Sequence, residues 1–302
     1  MTAHIFPYCP AACFKVFGED AGSYLQGQFS NELRQPVGRV VYGLFLNGKG
    51  KVVADAQVLK LTEQAFLLTS YFSTAEVMRQ RLEEFIVADD VGLEDLTPQS
   101  RGLSIWGPKS GEIFLQRFQA VPQAGQCLHR GELLIYPGRR SRDKNYEIIG
   151  PNHLIETLQE QLLKAGCVET GANQLEHLRI THGIPAIPGD IGPGDLPNEG
   201  NLDADAVSYT KGCYLGQEVM ARLKNMGQVR RRLFVVQGTG TTPGTRGALF
   251  QQGKKIGEIR SGASKDDGYA AMAMLTLLNL DEAAGLSLEP DAPPTLRIQT
   301  RG

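Results

Sequence analysis

From residue 40 to residue 71 the chain reads as apolar, β-forming runs broken by short polar turns: VVYGLFLNGKGKVVADAQVLKLTEQAFLLTSY. Asn47-Gly48 between two such runs predicts a tight hairpin, and residues 62–64 predict a second turn. The period then changes. Met78, Leu82, Phe85 and Ile86 recur at helical spacing and predict a helix over 74–88. Upstream, GEDAGSYLQGQFSNEL (18–33) predicts a short helix entered through acidic residues and interrupted near Gly27. Downstream, strands are expected at 91–96, 101–106, 132–136 and 145–149, with a helix at 109–119 between two of them. Pro151 is placed to open a helix carrying Leu154, Leu158 and Leu162 on one face, with Gly166 at its end. Residues 172–182 read as helical again. The stretch GIPAIPGDIGPGDLPNEGN (183–201) holds five glycines and four prolines, which excludes regular structure. A loop of that length is functional or a linker. From about residue 231, short β-like runs predict a separate C-terminal all-β unit, a small barrel.

Composition narrows the picture. With 302 residues the chain is long for one core and fits two or three packed units. A net charge of −2 creates no field that would draw nucleic acid or an anionic membrane, so neither is expected as a direct partner. The basic clusters GRRSRDK (138–144) and RRR (230–232) read as solvated faces. Five irregularly spaced cysteines argue against a disulfide framework. Cys9 and Cys13 are flanked by Pro7 and Pro10, and His177 and His182 do not share a helix face, so no tightly bound metal is expected. No run approaches the ~18 apolar residues of a membrane span, and the N-terminus lacks a basic stretch followed by an apolar one. The cytoplasm, where thiols stay reduced, is the expected location.

Two short motifs carry candidate chemistry. Gly43 to Lys49 matches the first seven positions of a phosphate-binding loop, but Gly50 stands where the magnesium-binding hydroxyl belongs and a strand follows. It reads as a hairpin, with Lys49 and Lys51 near its tip. TKGCYLGQE (210–218) is more specific. Ser208 or Thr210 is placed to cap a helix starting at 211–213, which puts Cys213 in the first turn. There the helix end and Lys211 both favour thiolate. Spacing alone leaves two readings open, a reactive thiol and a small buried packing residue.

KGCYLGQEVMAR (211–222) resembles the signature of the YgfZ-type proteins, folate-binding relatives of the glycine-cleavage aminomethyltransferase, the T-protein. GEDAGSYLQGQFSNEL, LNGKGKVVADAQV, GIPAIPGDI with LPNEGNLDAD, and GQVRRRL are similar to further stretches of that family. The resemblance covers most of the chain and is weakest over 97–150. It implies an α+β fold, a three-domain ring of the T-protein type. A ferredoxin-like α/β domain would comprise 1–45 and 160–228, a second α/β domain 46–159, and a C-terminal β-barrel 229–302. The resemblance also implies a central pocket for tetrahydrofolate or a derivative, contacted by Asp55, Arg179, Thr181 and Glu218. The implied role is assembly or repair of iron–sulfur proteins, including tRNA-thiomethylating enzymes. Cys213 would be the functional thiol, with Lys211, Gly212, Tyr214, Gly216 and Gln217 completing the signature. Partners would be iron–sulfur assembly proteins or client enzymes, and the chain a monomer.

The alternative is a tetrahydrofolate-dependent aminomethyltransferase or other one-carbon transferase. Two departures bear on it. The transferase carries paired aspartates where this chain reads Ala54-Asp55, so one carboxylate remains. Thr181 stands where the transferase has a glutamate, and a hydroxyl is a poorer partner for an amino-pyrimidine edge. The loop at 183–201 is expected to face the centre, bringing Arg179 and Glu218 to a cavity shared with Asp55.

Overall fold

The computed structural model describes residues 2–266 and 268–299. The chain opens with β1 (His4–Tyr8) and β2 (Ala12–Phe17), then α1 (Ala21–Gln28). α1 runs through Gly27 and stops because Phe29 turns extended, at φ −103° and ψ 140°. The expected three strands follow as β3 (Val40–Leu46), β4 (Val52–Thr62) and β5 (Ala65–Ser70), then α2 (Ala75–Glu83), whose cap Thr74 accepts from Val77 N. Next come β6 (Gly92–Asp95), β7 (Ser100–Trp106), α3 (Ser110–Phe118), β8 (Leu128–Arg130), β9 (Leu133–Pro137) and β10 (Asn145–Pro151). α4 (Asn152–Lys164), β11 (Val168–Glu169), α5 (Ala172–Thr181), the single turn α6 (Asp203–Ala206) and α7 (Gln217–Met226) precede the last strands. Those are β12 (Arg231–Thr239), β13 (Ala248–Gln251), β14 (Lys254–Lys265), β15 (Gly268–Thr276) and β16 (Leu296–Ile298).

Three sheets organise these elements. One has the order β11-β1-β7-β10-β9-β8, the second β3-β4-β5-β2-β6, and the third, a curled half-barrel, β13-β14-β15-β12-β16. In the first, Ile5, Leu103 and Ile148 pack with Phe114 of α3 and Ile155, Leu158 and Leu162 of α4. The buried stripe of α4 is therefore drawn through Ile155, while Leu154 is only half-buried. In the second, Phe14, Phe45 and Phe66 pack with Leu25 of α1 and with Met78 and Leu82 of α2. Cys13, Leu59 and Leu67 on this sheet meet Cys127, Tyr136 and Ile149 from the first. Burial pushes the Cys13 thiol up to about 11 and the Cys127 thiol up to about 12, so both are packing residues. The sheets divide the chain differently from the boundaries expected at 45/46 and 159/160. β3 pairs with β4 across residue 45, and residues 46–159 are shared between two sheets.

The Gly/Pro-rich stretch is neither linker nor surface loop. Ile187 and Ile191 are fully buried beside Leu44 and Leu46 of the second sheet, Ile180 of α5, and Met272 and Met274 of the third. Its prolines cannot donate, and side-chain carboxylates satisfy several of its remaining N–H groups. Asp190 Oδ2 accepts from Ala186 N at 2.7 Å, Asp195 Oδ2 from Gly192 N at 2.9 Å, and Glu199 Oε2 from Leu196 N at 2.7 Å. Each carboxylate also meets an arginine from outside the loop: Asp190 with Arg179, Asp195 with Arg231 and Arg260, Glu199 with Arg231. Irregular backbone is tolerated in a core when its polar groups are paired, and these carboxylates pair three of its N–H groups. Arg231, read from the sequence as part of a solvated cluster, is one of these partners.

Candidate functional site

The signature stretch is a loop, and Cys213 lies outside any helix. α7 begins at Gln217, four to six residues later than the sequence predicts. Ser208 Oγ accepts from Lys211 N at 3.3 Å, closing a turn without starting a helix. Gly216 holds φ +85°, a left-handed conformation that breaks helical continuity. A Cβ there would lie 2.8 Å from Asn47 O, so the glycine also lets the loop seat against the β3–β4 hairpin. Lys211 is buried, and its ammonium donates to Gln26 O, Phe29 O and Asn31 O at 2.7–2.9 Å, the open carbonyls at the end of α1. Its charge therefore clamps α1 and is not aimed at the thiol, which corrects the expected activation by Lys211 and a helix end. Tyr214 is buried, Gln217 Nε2 donates back to Lys211 O, and nothing lies within 4 Å of a Cβ placed on Gly212. Cys213 itself is exposed, like Cys9 and unlike Cys13, Cys127 and Cys167. The packing reading of this cysteine fails on that exposure.

Asp55, on β4, sits in a cage of hydroxyls. Its Oδ1 accepts from Ser70 Oγ at 2.6 Å and Ser73 Oγ at 2.7 Å, and its Oδ2 only from Tyr42 OH at 3.2 Å. Burial raises its pKa, while these hydroxyls and the Arg139 charge pull it back. Arg139 lies 3.7 Å over the Tyr42 ring and lines a cavity of about 190 Å³ with Arg142, Gly183 and Asn201. Those last three residues also line a larger cavity of about 680 Å³, which adds His182 and Arg232. Next to Asp55, Tyr71 and Tyr8 face the guanidinium of buried Arg140, at 3.9 and 4.5 Å from its carbon. Tyr8 OH and Ser104 Oγ donate to Glu147 Oε2, and burial raises the pKa of this carboxyl. Within the cluster at 138–144, Arg140 is thus folded inward, while Arg142, Asp143 and Lys144 stay exposed. Sequence reasoning missed it because Tyr8, Tyr71, Arg140 and Glu147 come from separate segments with no shared local pattern.

The other three expected folate contacts do not converge on Asp55. Arg179, 2% exposed, is held by Asp190 at 2.7 Å, by Glu176, by Ile184 O and by Ser261 Oγ. Its guanidinium carbon lies 5.7 Å from the ring centre of Phe72, whose N–H donates to Ser70 Oγ of the Asp55 cage. Thr181 Oγ1 donates to His177 O and Leu178 O of its own helix, although the residue lines the larger cavity. Glu218 is turned to solvent and paired with Arg222, one helical turn on. The loop does approach the cage: Ser73 Oγ also lies 3.2 Å from Ile187 O.

Residues 3–128 match the family model described as the GCVT N-terminal domain. The whole fold superposes on the crystal structure of glycine cleavage system aminomethyltransferase T from Bartonella henselae. The TM-score is 0.85 at 19% identity, covering 99% of this chain and 85% of that one, a likeness of fold. The tRNA-modifying protein YgfZ of Colwellia psychrerythraea is 27% identical over 293 residues, covering 94% of this chain and 88% of its own. The chain is thus similar in sequence to YgfZ-type proteins and shares the fold of aminomethyltransferase T. The mitochondrial iron-sulfur cluster assembly factor IBA57 of Mus musculus is 29% identical over 287 residues, covering 87% of this chain and 75% of its own. No helix of the described residues is long and apolar enough to cross a membrane. Among those residues no group of three or more His, Cys, Asp or Glu side chains is arranged to hold a metal ion. In charge, Arg142 and Arg232 on the larger cavity suit a carboxylate tail, and Asp55 Oδ2, with one hydrogen-bond partner, has acceptor capacity although Asp55 lines neither cavity.

Proposed function

We propose that this chain is a folate-binding factor for the assembly or repair of iron–sulfur proteins, acting through the thiol of Cys213. The observation that carries the reading is an exposed cysteine on a loop anchored at both ends, by Lys211 to α1 and by Gly216 to the hairpin. The names of the mouse and Colwellia relatives support the iron–sulfur role and a link to tRNA modification. The partners would be iron–sulfur assembly proteins or client enzymes that meet the thiol on this surface, with the chain acting as a monomer. Cys213→Ser is expected to leave the melting temperature within about 2 °C, since an exposed substitution changes stability by at most ~0.5 kcal/mol. It is expected to abolish rescue of iron–sulfur enzyme activity in cells lacking the protein. Retained rescue removes Cys213 from the function.

The reduced folate would lie along the two adjoining cavities, with its ring near Asp55 and its glutamate tail near Arg142 and Arg232. Aminomethyl transfer is the weaker reading, because the single remaining carboxylate is engaged by three hydroxyls of its own fold. Asp55→Asn keeps the size and an acceptor but removes the charge. A hydrogen bond to a charged group contributes about 1.5–3 kcal/mol, so affinity for tetrahydrofolate should fall at least about tenfold. Wild-type affinity should also weaken as acid protonates Asp55, at a pH above the ordinary aspartate range because its pKa is raised. Equal affinity of the two proteins in a calorimetric titration takes Asp55 out of the site.

A further inference from the structure

The signature loop is edged by lysines that neither the folate reading nor the thiol has yet used. The β3–β4 hairpin tip is pressed against the loop and α7. A Cβ on Gly216 would lie 3.2 Å from Gly50 Cα, and one on Gly50 would lie 2.9 Å from Val219 Cβ. Lys49 and Lys51 flank Gly50, so the hairpin carries both to the border of the loop. Cys213 is three residues from Gly216, at most about 10 Å of extended backbone. That span is comparable to the Debye length at about 0.1 M salt and well inside it at about 0.01 M. Asn47 Oδ1 accepts from the backbone N–H groups of Lys49 and Lys51 at 2.9 and 3.0 Å, which fixes the tip without using either ammonium. Among the described residues neither ammonium has a carboxylate at ion-pair distance, nor has Lys224 of α7, which lies 4.2 Å over the Tyr209 ring. Two carboxylates on the same border are already taken, Glu32 by Arg34 and Glu218 by Arg222, each at 2.8 Å. Glu84, in the wall of a cavity that Leu215 also lines, and Asp203, beside Tyr209, oppose the lysines. With Lys211 beneath the loop, free cations still outnumber free carboxylates here, on a chain whose net charge is −2.

We infer that the lysine-edged surface around Cys213 docks an acidic surface of a partner protein and sets that partner against the thiol. The inference rests on the proposed function in taking Cys213 as the point of contact, and it is independent of folate binding. Charge of one sign on the rim of a site speeds encounter with an oppositely charged partner and fixes its orientation. RNA is anionic too, but single-stranded nucleic acid is held by exposed aromatic faces as well as by charge. Tyr214 is buried and Tyr209 is half-buried under Lys224, so this border offers charge without a stacking platform.

The test reads alkylation of Cys213 in the full chain carrying Cys9→Ser, by anionic iodoacetate and by neutral iodoacetamide. The ratio of the two rates cancels the reactivity of the thiol and reports the local potential. At about 0.01 M salt it should exceed that of a free cysteine peptide about two- to threefold, and fall to the peptide's value at high salt. Lys49→Glu with Lys51→Glu should bring it below the peptide's. Should that protein fail to fold, Lys49→Glu alone decides, since Lys49 is exposed. A wild-type ratio equal to the peptide's, or one that survives the charge reversal, overturns the inference. In cells lacking the protein the reversal should abolish rescue of iron–sulfur enzyme activity, and Lys49→Arg with Lys51→Arg should retain it. Rescue by the reversed protein overturns the docking role. Rescue that fails on reversal but survives Cys213→Ser faults the thiol and leaves the surface standing. A tRNA transcript that binds at physiological salt and is released by the reversal overturns the choice of a protein partner.

Discussion

Arg179→Met is expected to lower the free energy of unfolding by about 3–5 kcal/mol, the cost of leaving a buried carboxylate without its partner. The carboxylate is Asp190, fully buried, whose Oδ2 is shared between Arg179 and the Ala186 N–H. Burial works against the arginine's charge, and Asp190 and Glu176 outweigh it, so the guanidinium pKa is raised. The same guanidinium reaches Ser261 of β14, so its loss loosens the Gly/Pro loop from both α5 and the third sheet. Urea unfolding should show the lower midpoint. The double variant Arg179→Met with Asp190→Leu should recover part of the loss, because an apolar pair replaces the ion pair while the buried Ala186 N–H is left without its acceptor. A single variant within 1 kcal/mol of wild type would assign the bracket to the other two carboxylates.

Lys211→Met is expected to cost about 2–3 kcal/mol, since it strands carbonyls at the end of α1, of which that of Phe29 is fully enclosed. The effect should carry a pH signature. Burial lowers the Lys211 ammonium from its ordinary value to about 8, with the Glu32 charge opposing. Between pH 8 and the ordinary lysine value the unfolded chain then binds this proton more tightly than the folded one. Stability contributed by Lys211 should therefore rise with pH across that window, and its burial penalty is fully present below it. Urea midpoints of wild type and Lys211→Met at pH 7.5 and 9.5 isolate the group. A gap that narrows as pH rises would contradict the assignment. Because Lys211 holds the loop carrying Cys213, the variant should also alter the alkylation rate of that thiol, read in a Cys9→Ser background.

Local pattern was enough for the elements whose signals are local. The Asn47-Gly48 turn, the strands either side of it, α3 and α5 all appear close to their expected bounds, because hydrophobic period and turn chemistry act within a few residues. α2 starts as expected but ends at Glu83, five residues short of 88, because those signals do not mark every end. The likeness of the KGCYLGQEVMAR stretch to a known signature carried the family and, with it, the fold. What the tertiary structure decided is what those side chains do. Lys211 and Cys213 are two residues apart, yet the lysine turns inward to α1, some 180 residues earlier in the chain, and the cysteine faces solvent. Arg179, expected at a ligand, is captured by Asp190 of a loop that sequence could mark only as irregular. Arg81, unremarkable on an amphipathic helix, becomes an unpaired buried cation only because Phe45, Gln28 and the hairpin close around it. Periodicity reports which face of an element is buried. It carries no information about which distant carbonyl or carboxylate completes a charge, because that depends on how the three sheets are set against one another.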